Sequence, residues 1–276
     1  MISNPSAISF IPDASVEAEF GSVCVEGAII TMAHHGVRAN NPAPCNWPNV
    51  PVLKEGTVLL SHIDLDTVGG CMALLGVKPK NNKFWAGAEL VDVRGPHHAH
   101  ELDDDTHARL CAYWAWNAEQ PRAERVGADE IRDVTADVHK HVGAILDIIG
   151  EPKGGDLLKK GLRWEAEQDE QVNERCVKEY DNVRLFVTGG IFCSAGYWNG
   201  AKMFKATVAL NTRFDAITVA FEDGGKQADA CKIVQEAWGP LAGGRAGIAG
   251  SPRGQAMTYA QAEEVAEKID RLLSGD

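Results

Sequence analysis

The stretch TVLLSHIDLDTVGG, Thr57 to Gly70, decides the reading of the fold. Thr57 to Ser61 is a short apolar run of the kind buried in a parallel sheet, and Val68 to Leu75 reads as the helix that follows it. A strand that ends in polar residues ahead of a helix is the usual place for a site in an α/β sheet. Residues two apart on an extended strand end share a face, so His62, Asp64 and Asp66 are expected to point at one cavity. One imidazole and two carboxylates suit Mn²⁺ or Mg²⁺ better than structural zinc, because hard oxygen ligands dominate and thiolates are absent. Gly69 and Gly70 are read as permitting close approach of backbone to a ligand. The bland alternative is a solvated strand end with chance alternation; the wholly apolar run before it weighs against that reading.

Outward from this stretch, Val23 to Met32 (VCVEGAIITM) reads as a strand that runs into His34-His35-Gly36 and a loop marked by Pro42, Pro44, Pro48 and Pro51. Phe84 to Val93 (FWAGAELVDV) reads as another strand, with Asp92 near its end and a polar cluster, His97, His98, His100 and Glu101, beyond it. Six of the nine histidines fall in these strand-end segments, which makes them candidate ligands. His107, His139 and His141 are read as ordinary surface or core residues; His139 and His141 are two apart in a helix and so point in different directions. Asp103-Asp104-Asp105 reads as a helix N-terminus favoured by the dipole.

The middle of the chain is helical in pattern over 105–119, 128–149 and 156–180, with a glycine- and proline-marked linker at 150–155. Strand patterns return at 183–188, 204–211 and 216–222, and a helix is expected over 226–238. A glycine-rich loop, 243–254, then leads to Thr258-Tyr259-Ala260-Gln261, a capping box opening a last helix to Leu273. The expected architecture is α/β: a parallel-sheet domain over 1–150, a helical connector over 151–182, and a smaller mixed α/β domain over 183–276. In the loop, Gly243 and Gly244 let backbone near an anion, and Arg245, Ser251 and Arg253 supply donors for phosphate or carboxylate oxygens.

Composition narrows the function classes. The chain has 276 residues with 27 Lys+Arg against 39 Asp+Glu, a formal net charge of −12, which argues against coating duplex nucleic acid but not against a metal-bridged phosphate. Seven cysteines, an odd number without a C-x-x-C pair, read as reduced thiols in a cytoplasmic protein. The first thirty residues lack the order of a signal peptide, and no apolar run approaches the roughly 20 residues of a membrane span.

Taken together these residues resemble a family. Ser61-His62-Ile63-Asp64-Leu65-Asp66 followed by Gly69 is similar to the first motif of the DHH phosphoesterases in its H-x-D-x-D form. Gly243-Gly244-Arg245 through Ala249-Gly250, ahead of the last helix, resembles the glycine-rich loop of the associated DHHA1 substrate domain, with Arg245 where histidine is common. The order of the parts fits over nearly the whole chain. The eponymous Asp-His-His is absent; its counterparts are His97-His98, in the expected order, or His34-His35, which precedes the first motif, with Asp92 standing for a strand-end aspartate. The resemblance implies two Mn²⁺ or Mg²⁺ ions held by His62, Asp64, Asp66, Asp92 and His97, with His34 and His35 as further ligands. It implies Asp64 and His98 as catalytic groups, His98 protonating the leaving group, and phosphate recognition by the C-terminal domain. The expected partner is a small phosphorylated substrate such as a nucleotide or short single-stranded oligonucleotide, with no duplex and no membrane; a homodimer is left open. Two rivals use the same residues: a metallohydrolase of amide or amidine bonds, and a module that binds a phosphorylated ligand without turnover.

Overall fold

The computed structural model describes residues 13–17, 28–34, 40–121 and 131–275. The chain divides into two compact units, Met1–Trp164 and Glu165–Asp276. Each has its own sheet and core, and the fold is α/β.

The first unit is built on three short parallel strands, β1 (Ala14–Val16), β2 (Ile30–Met32) and β3 (Val58–Leu60), in the order β2-β1-β3. Ala14, Val16, Met32 and Leu60 are buried there, against helices on which Val68, Met72, Phe84 and Leu110 are buried in turn. Strand β3 matches the expected Thr57–Ser61 run. Of the expected strand over 23–32, only Ile30–Met32 is strand, and residues 23–27 lie outside the described residues.

Helix α1 (Leu65–Leu74) begins three residues earlier than its apolar pattern suggests, because Asp64 and Thr67 close a reciprocal capping box. The Asp64 carboxylate accepts from Thr67 N–H at 2.9 Å, and Thr67 Oγ1 accepts from Asp64 N–H at 3.0 Å. The strand-end alternation expected for His62, Asp64 and Asp66 is therefore corrected: β3 stops at Leu60, and Asp66 sits in the first turn of α1.

The segment expected as a strand over 84–93 is helix α2 (Asn82–Arg94). Its aromatic and branched residues suggested a strand, but Phe84, Trp85, Ala88 and Val91 form a helical stripe into the core, and Asn81 caps it by accepting from Phe84 N–H at 3.1 Å. Beyond Gly95 a short 3-10 helix, Pro96–Glu101, carries the histidines. Helix α3 (Asp104–Ala118) starts at the acidic run, with Asp103 as its N-cap. Helix α4 (Thr135–Gly150) follows, and its C-terminus is closed by Arg109 of α3, which donates to the carbonyls of Ile148, Ile149 and Glu151.

The division between units falls inside helix α5 (Asp156–Asn173). The helical pattern expected to reach Tyr180 ends at Asn173, and strand β4 (Cys176–Glu179) follows. With β5 (Val183–Thr188), β6 (Ala206–Asn211), β7 (Ala216–Phe221), β8 (Gly243–Arg245) and β9 (Ile248–Gly250) it forms a mixed sheet in the order β4-β5-β6-β7-β9-β8. Strands β5 and β6 are parallel and the other neighbours antiparallel. Helices α6 (Ala230–Trp238) and α7 (Tyr259–Ser274) supply Ile233, Val234, Val265 and Ile269 to its core, and the Thr258–Gln261 capping box opens α7. Arg184 of β5 is buried at the sheet, where it donates to the carbonyls of Gly196 and Trp198, to Asn173 Oδ1 and to Glu179. Among the described residues no helix is long and apolar enough to cross a membrane, and all six described cysteines are free thiols.

Gly69 and Gly70 serve packing rather than a ligand. A Cβ on Gly69 would lie 2.6 Å from Cys45 Cβ and 2.8 Å from the Trp85 ring, and one on Gly70 would lie 2.9 Å from Val16 Cγ1. Gly69→Ala is thus expected to push α1 off Cys45 and to lower stability by about 1–3 kcal/mol, the usual cost of overpacking. Urea unfolding of the purified variant reads this directly; an unchanged midpoint would refute the packing role.

Candidate metal centre

Glu17, His34 and Asp66 come together at the carboxyl ends of the three parallel strands. Glu17 follows β1 directly, His34 lies two residues past β2, and Asp66 stands in the helical turn after β3. The carboxyl edge is where loops between parallel strands and helices can converge on a ligand. One ligand atom from each of the three lies within 4.8 Å of the others, and all three residues are buried. His34 Nε2 is 3.8 Å from Glu17 Oε1, 3.6 Å from Asp66 Oδ2 and 2.9 Å from Asp92 Oδ2, so Asp92, near the end of α2, joins the group as a fourth member.

Backbone contacts hold these groups. His34 N–H donates to Glu17 Oε1 at 2.9 Å, and Cys45 N–H donates to Asp66 Oδ1 at 2.8 Å. Cys45 belongs to a short 3-10 helix, Pro44–Asn46, within the proline-marked loop; Glu89 of α2 anchors it by accepting from Ala43 N–H and from the Asn46 side chain. Glu17 itself has φ of +50°, a left-handed backbone uncommon outside glycine and frequent at functional sites.

Three carboxylates around one imidazole are electrostatically unbalanced. Burial, together with the charges of Asp92 and Asp64, pushes the Asp66 carboxyl up to about 7 despite the Cys45 hydrogen bond. Burial pulls His34 down, but the Asp92 hydrogen bond and the charges of Asp66, Asp92 and Glu17 outweigh it and raise it overall. A donor set of three carboxylates and one imidazole fits Mn²⁺ or Mg²⁺, whose positive charge would relieve the repulsion. The Cys45 thiol, pushed well up by burial and by Asp66, is not offered as a thiolate.

The structure brings together three of the residues expected from sequence, His34, Asp66 and Asp92, and adds Glu17. His62 and Asp64 form a pair beside the group: His62 Nε2 is 3.0 Å from Asp64 Oδ2, both side chains are partly exposed, and the Asp64 hydrogen bond raises His62. His97 and His98 lie on the 3-10 helix. His98 Nδ1 is 2.6 Å from Glu101 Oε1 and Arg94 Nη1 is 2.9 Å from Oε2 of the same carboxylate, while burial and neighbouring positive charge lower His97 to about 4. His35 lies outside the described residues. In the second unit, the segment expected as a loop over 243–254 begins instead as the β8–β9 hairpin at a sheet edge. Gly243, Gly244, Arg245 and Arg253 are exposed, and Ser251 is taken up in the sheet, where its Oγ accepts from Ile217 N–H at 3.0 Å. Arg245 and Arg253 stay candidates for holding an anion.

Glu17 had no strong signal in the sequence. A three-residue strand is too short for periodicity to show. What could have marked it is an acidic residue directly after the buried pair Ala14 and Val16.

No family model and no curated protein matches the chain. Among solved structures, a pGpG-specific phosphodiesterase, PggH from Vibrio cholerae, is similar at TM-score 0.42 and 10% identity, over 84% of this chain and 82% of that one. An exopolyphosphatase-related protein from Bacteroides fragilis is similar at TM-score 0.32 and 13% identity, over 79% of this chain and 61% of that one. At these levels the functional reading is carried by the side chains of the site.

The Asp66 carboxyl ionises near 3.8 when unfolded and near 7 when folded, so between those values the folded metal-free protein holds the extra proton and its stability falls as pH rises. Asp66→Asn, which keeps the oxygen that meets Cys45, is expected to raise the metal-free Tm at pH 8 by about 2–4 °C for each kcal/mol relieved. The same variant loses the Tm gain that Mn²⁺ gives the native protein. Native Mn²⁺ affinity should rise with pH through about 7, with proton release on binding in calorimetry. Full Mn²⁺ stabilisation of Asp66→Asn would place the metal elsewhere.

Proposed function

We propose that this chain is a divalent-metal-dependent phosphohydrolase that cleaves a small phosphate ester or phosphodiester, such as a nucleotide or short single-stranded oligonucleotide. The observation that carries the reading is the buried Glu17–His34–Asp66–Asp92 group. Such a cluster of hard oxygen donors is costly to bury without a cation, and it selects the ions that pair with phosphate oxygens. The resemblance of His62-Ile63-Asp64-Leu65-Asp66 to a phosphoesterase motif points the same way.

In this reading Glu17, His34, Asp66 and Asp92 hold Mn²⁺ or Mg²⁺, and His62 and Asp64 are the candidates for a second ion. The bound metal would lower the pKa of a water molecule and neutralise charge developing on phosphoryl oxygens. The chain's own residues do the remaining work. Cys45 N–H and the N-terminal turn of α1 fix the Asp66 carboxylate, while Glu17 is fixed by His34 N–H. Asp64 caps α1 and orients His62, so its role in catalysis is to set the first turn that carries Asp66. His98 is the proposed proton donor to the leaving group; Glu101, at 2.6 Å from Nδ1, aligns the ring. Arg245 and Arg253 are proposed to bind phosphate oxygens through their guanidinium forks.

The test is p-nitrophenol release from bis(p-nitrophenyl) phosphate and from p-nitrophenyl phosphate, and mononucleotide release from a dinucleotide, with Mn²⁺, with Mg²⁺ and with EDTA. Turnover with metal and none with EDTA is expected, and Asp92→Asn should lower kcat on the order of a hundredfold or more, because the metal-held charge is lost from the reacting phosphate. Tight Mn²⁺ binding with no release from any phosphoester, beside cleavage of an amide or amidine panel, would transfer the assignment to the rival metallohydrolase class.

A further inference from the structure

The hydroxyl of Ser61, the residue that follows β3, has no part in the chemistry above, yet it stands at one end of a chain of hydrogen bonds. Ser61 Oγ lies 2.7 Å from His62 Nδ1, and His62 Nε2 lies 3.0 Å from Asp64 Oδ2. Asp64 is in turn fixed from behind. Its Oδ1 accepts from Thr67 N–H at 2.9 Å, which closes the capping box of α1, and from the Thr67 hydroxyl at 3.0 Å. An imidazole whose side chain is 48% exposed is therefore held at both ring nitrogens.

The two nitrogens face partners of different kinds. A carboxylate only accepts, so the contact with Asp64 puts a hydrogen on Nε2. An ion bound at Nε2 needs the lone pair of that nitrogen, and a neutral ring must then carry its hydrogen on Nδ1. The partner of Nδ1 has to suit both arrangements. A carbonyl or carboxylate there would only accept and an ammonium would only donate, whereas a hydroxyl rotates between the two roles. The Ser61 hydroxyl can donate to a bare Nδ1 and accept from Nδ1–H with its oxygen in one place.

We propose that Ser61 is a positioning residue for the second ion: its hydroxyl holds the Nδ1 side of His62, so that Nε2 is offered to the ion together with Asp64 Oδ2. This role rests on His62 and Asp64 being the second-ion pair, and is independent of which phosphate ester is cleaved. A partner on the far nitrogen of a ligating histidine fixes the tautomer and the ring orientation, and its loss typically costs about 10- to 100-fold in metal affinity. Were the contact an ordinary surface hydrogen bond between adjacent side chains, its removal would leave ion binding as it is.

Mn²⁺ binding to the full chain is followed by calorimetry and by the electron paramagnetic resonance of free Mn²⁺. The native protein should take two ions. Ser61→Ala, shown by circular dichroism to be folded, should take the first with native affinity and the second about tenfold to a hundredfold more weakly. Ser61→Thr, which keeps a hydroxyl, should recover the second ion. The position of the hydrogen is read separately, in two-bond ¹H–¹⁵N spectra of the imidazoles with diamagnetic Mg²⁺, the His62 signals being assigned by their loss in His62→Gln. Saturation with Mg²⁺ should place the hydrogen of His62 on Nδ1 in the native protein, and Ser61→Ala should show both tautomers. A folded Ser61→Ala protein that binds the second ion as the native protein does overturns the proposal, as does a His62 hydrogen on Nε2 under saturating Mg²⁺. So does a Ser61→Thr protein with the same loss as Ser61→Ala. A native protein that takes a single ion also overturns it, while the phosphoester assay with Mn²⁺ and with EDTA decides the phosphohydrolase reading on its own.

Discussion

Like charges forced together out of water are the constraint around which the first unit is arranged. Glu17, Asp66 and Asp92 gather on one imidazole, and a carboxyl driven up to about 7 shows how unwelcome a further negative charge is there. Such a group persists only if its supports over-determine it. Here those supports are three parallel strands that end at the same edge, a backbone N–H on Glu17 and another on Asp66, and a helix brought against Cys45 by Gly69 and against Val16 and Pro44 by Gly70, with no room for a side chain at either glycine. The unfavourable electrostatics is local, whereas the packing that opposes it is distributed over the core.

Much of this was legible in the sequence, and the parts that were not have physical reasons. Asp66, Asp92 and His34 were picked out because ionisable residues next to apolar runs stand out in any window. Their grouping was not, because it depends on which strands are neighbours. His62-Asp64-Asp66 looked like one strand face, but the Asp64–Thr67 capping box starts a helix early and turns the two carboxylates to different tasks, one to capping and one to the charged group. FWAGAELVDV looked like a strand because aromatic and β-branched residues are frequent in strands, yet Phe84, Trp85, Ala88 and Val91 also satisfy a helical stripe, and Asn81 decides between them. Glu17 stayed hidden because β1 is three residues long.

The second unit is assembled on other terms. Its node is a single buried cation: Arg184 places its donors on two carbonyls, one amide and one carboxylate, and stacks against the rings of Phe186 and Phe204 at 4.9 and 5.6 Å. Every polar atom of that guanidinium is directed at a partner, which is the condition for burying a charge without loss. Sequence patterns located the strands here more closely than in the first unit, because β5, β6 and β7 are six residues each, long enough for β-branched runs to be diagnostic. Two segments depart from this: Cys176–Glu179 is a strand within an expected helical pattern, and Gly243–Arg245 pairs with Ile248–Gly250 as an edge hairpin although its composition suggests a loop.

Arg109 has a meaning for motion as well as for capping. Its guanidinium reaches from α3 to the last carbonyls of α4 and is held on its own helix by Asp105. The end of α4 that would otherwise fray is tied to a neighbour, and the two helices are expected to open together rather than in turn. Trp116 and His141 stand on these same two helices. Their edge-to-face contact is therefore ordered when the chain folds, and this end of the helix pair behaves as one rigid block rather than as two ends free to part.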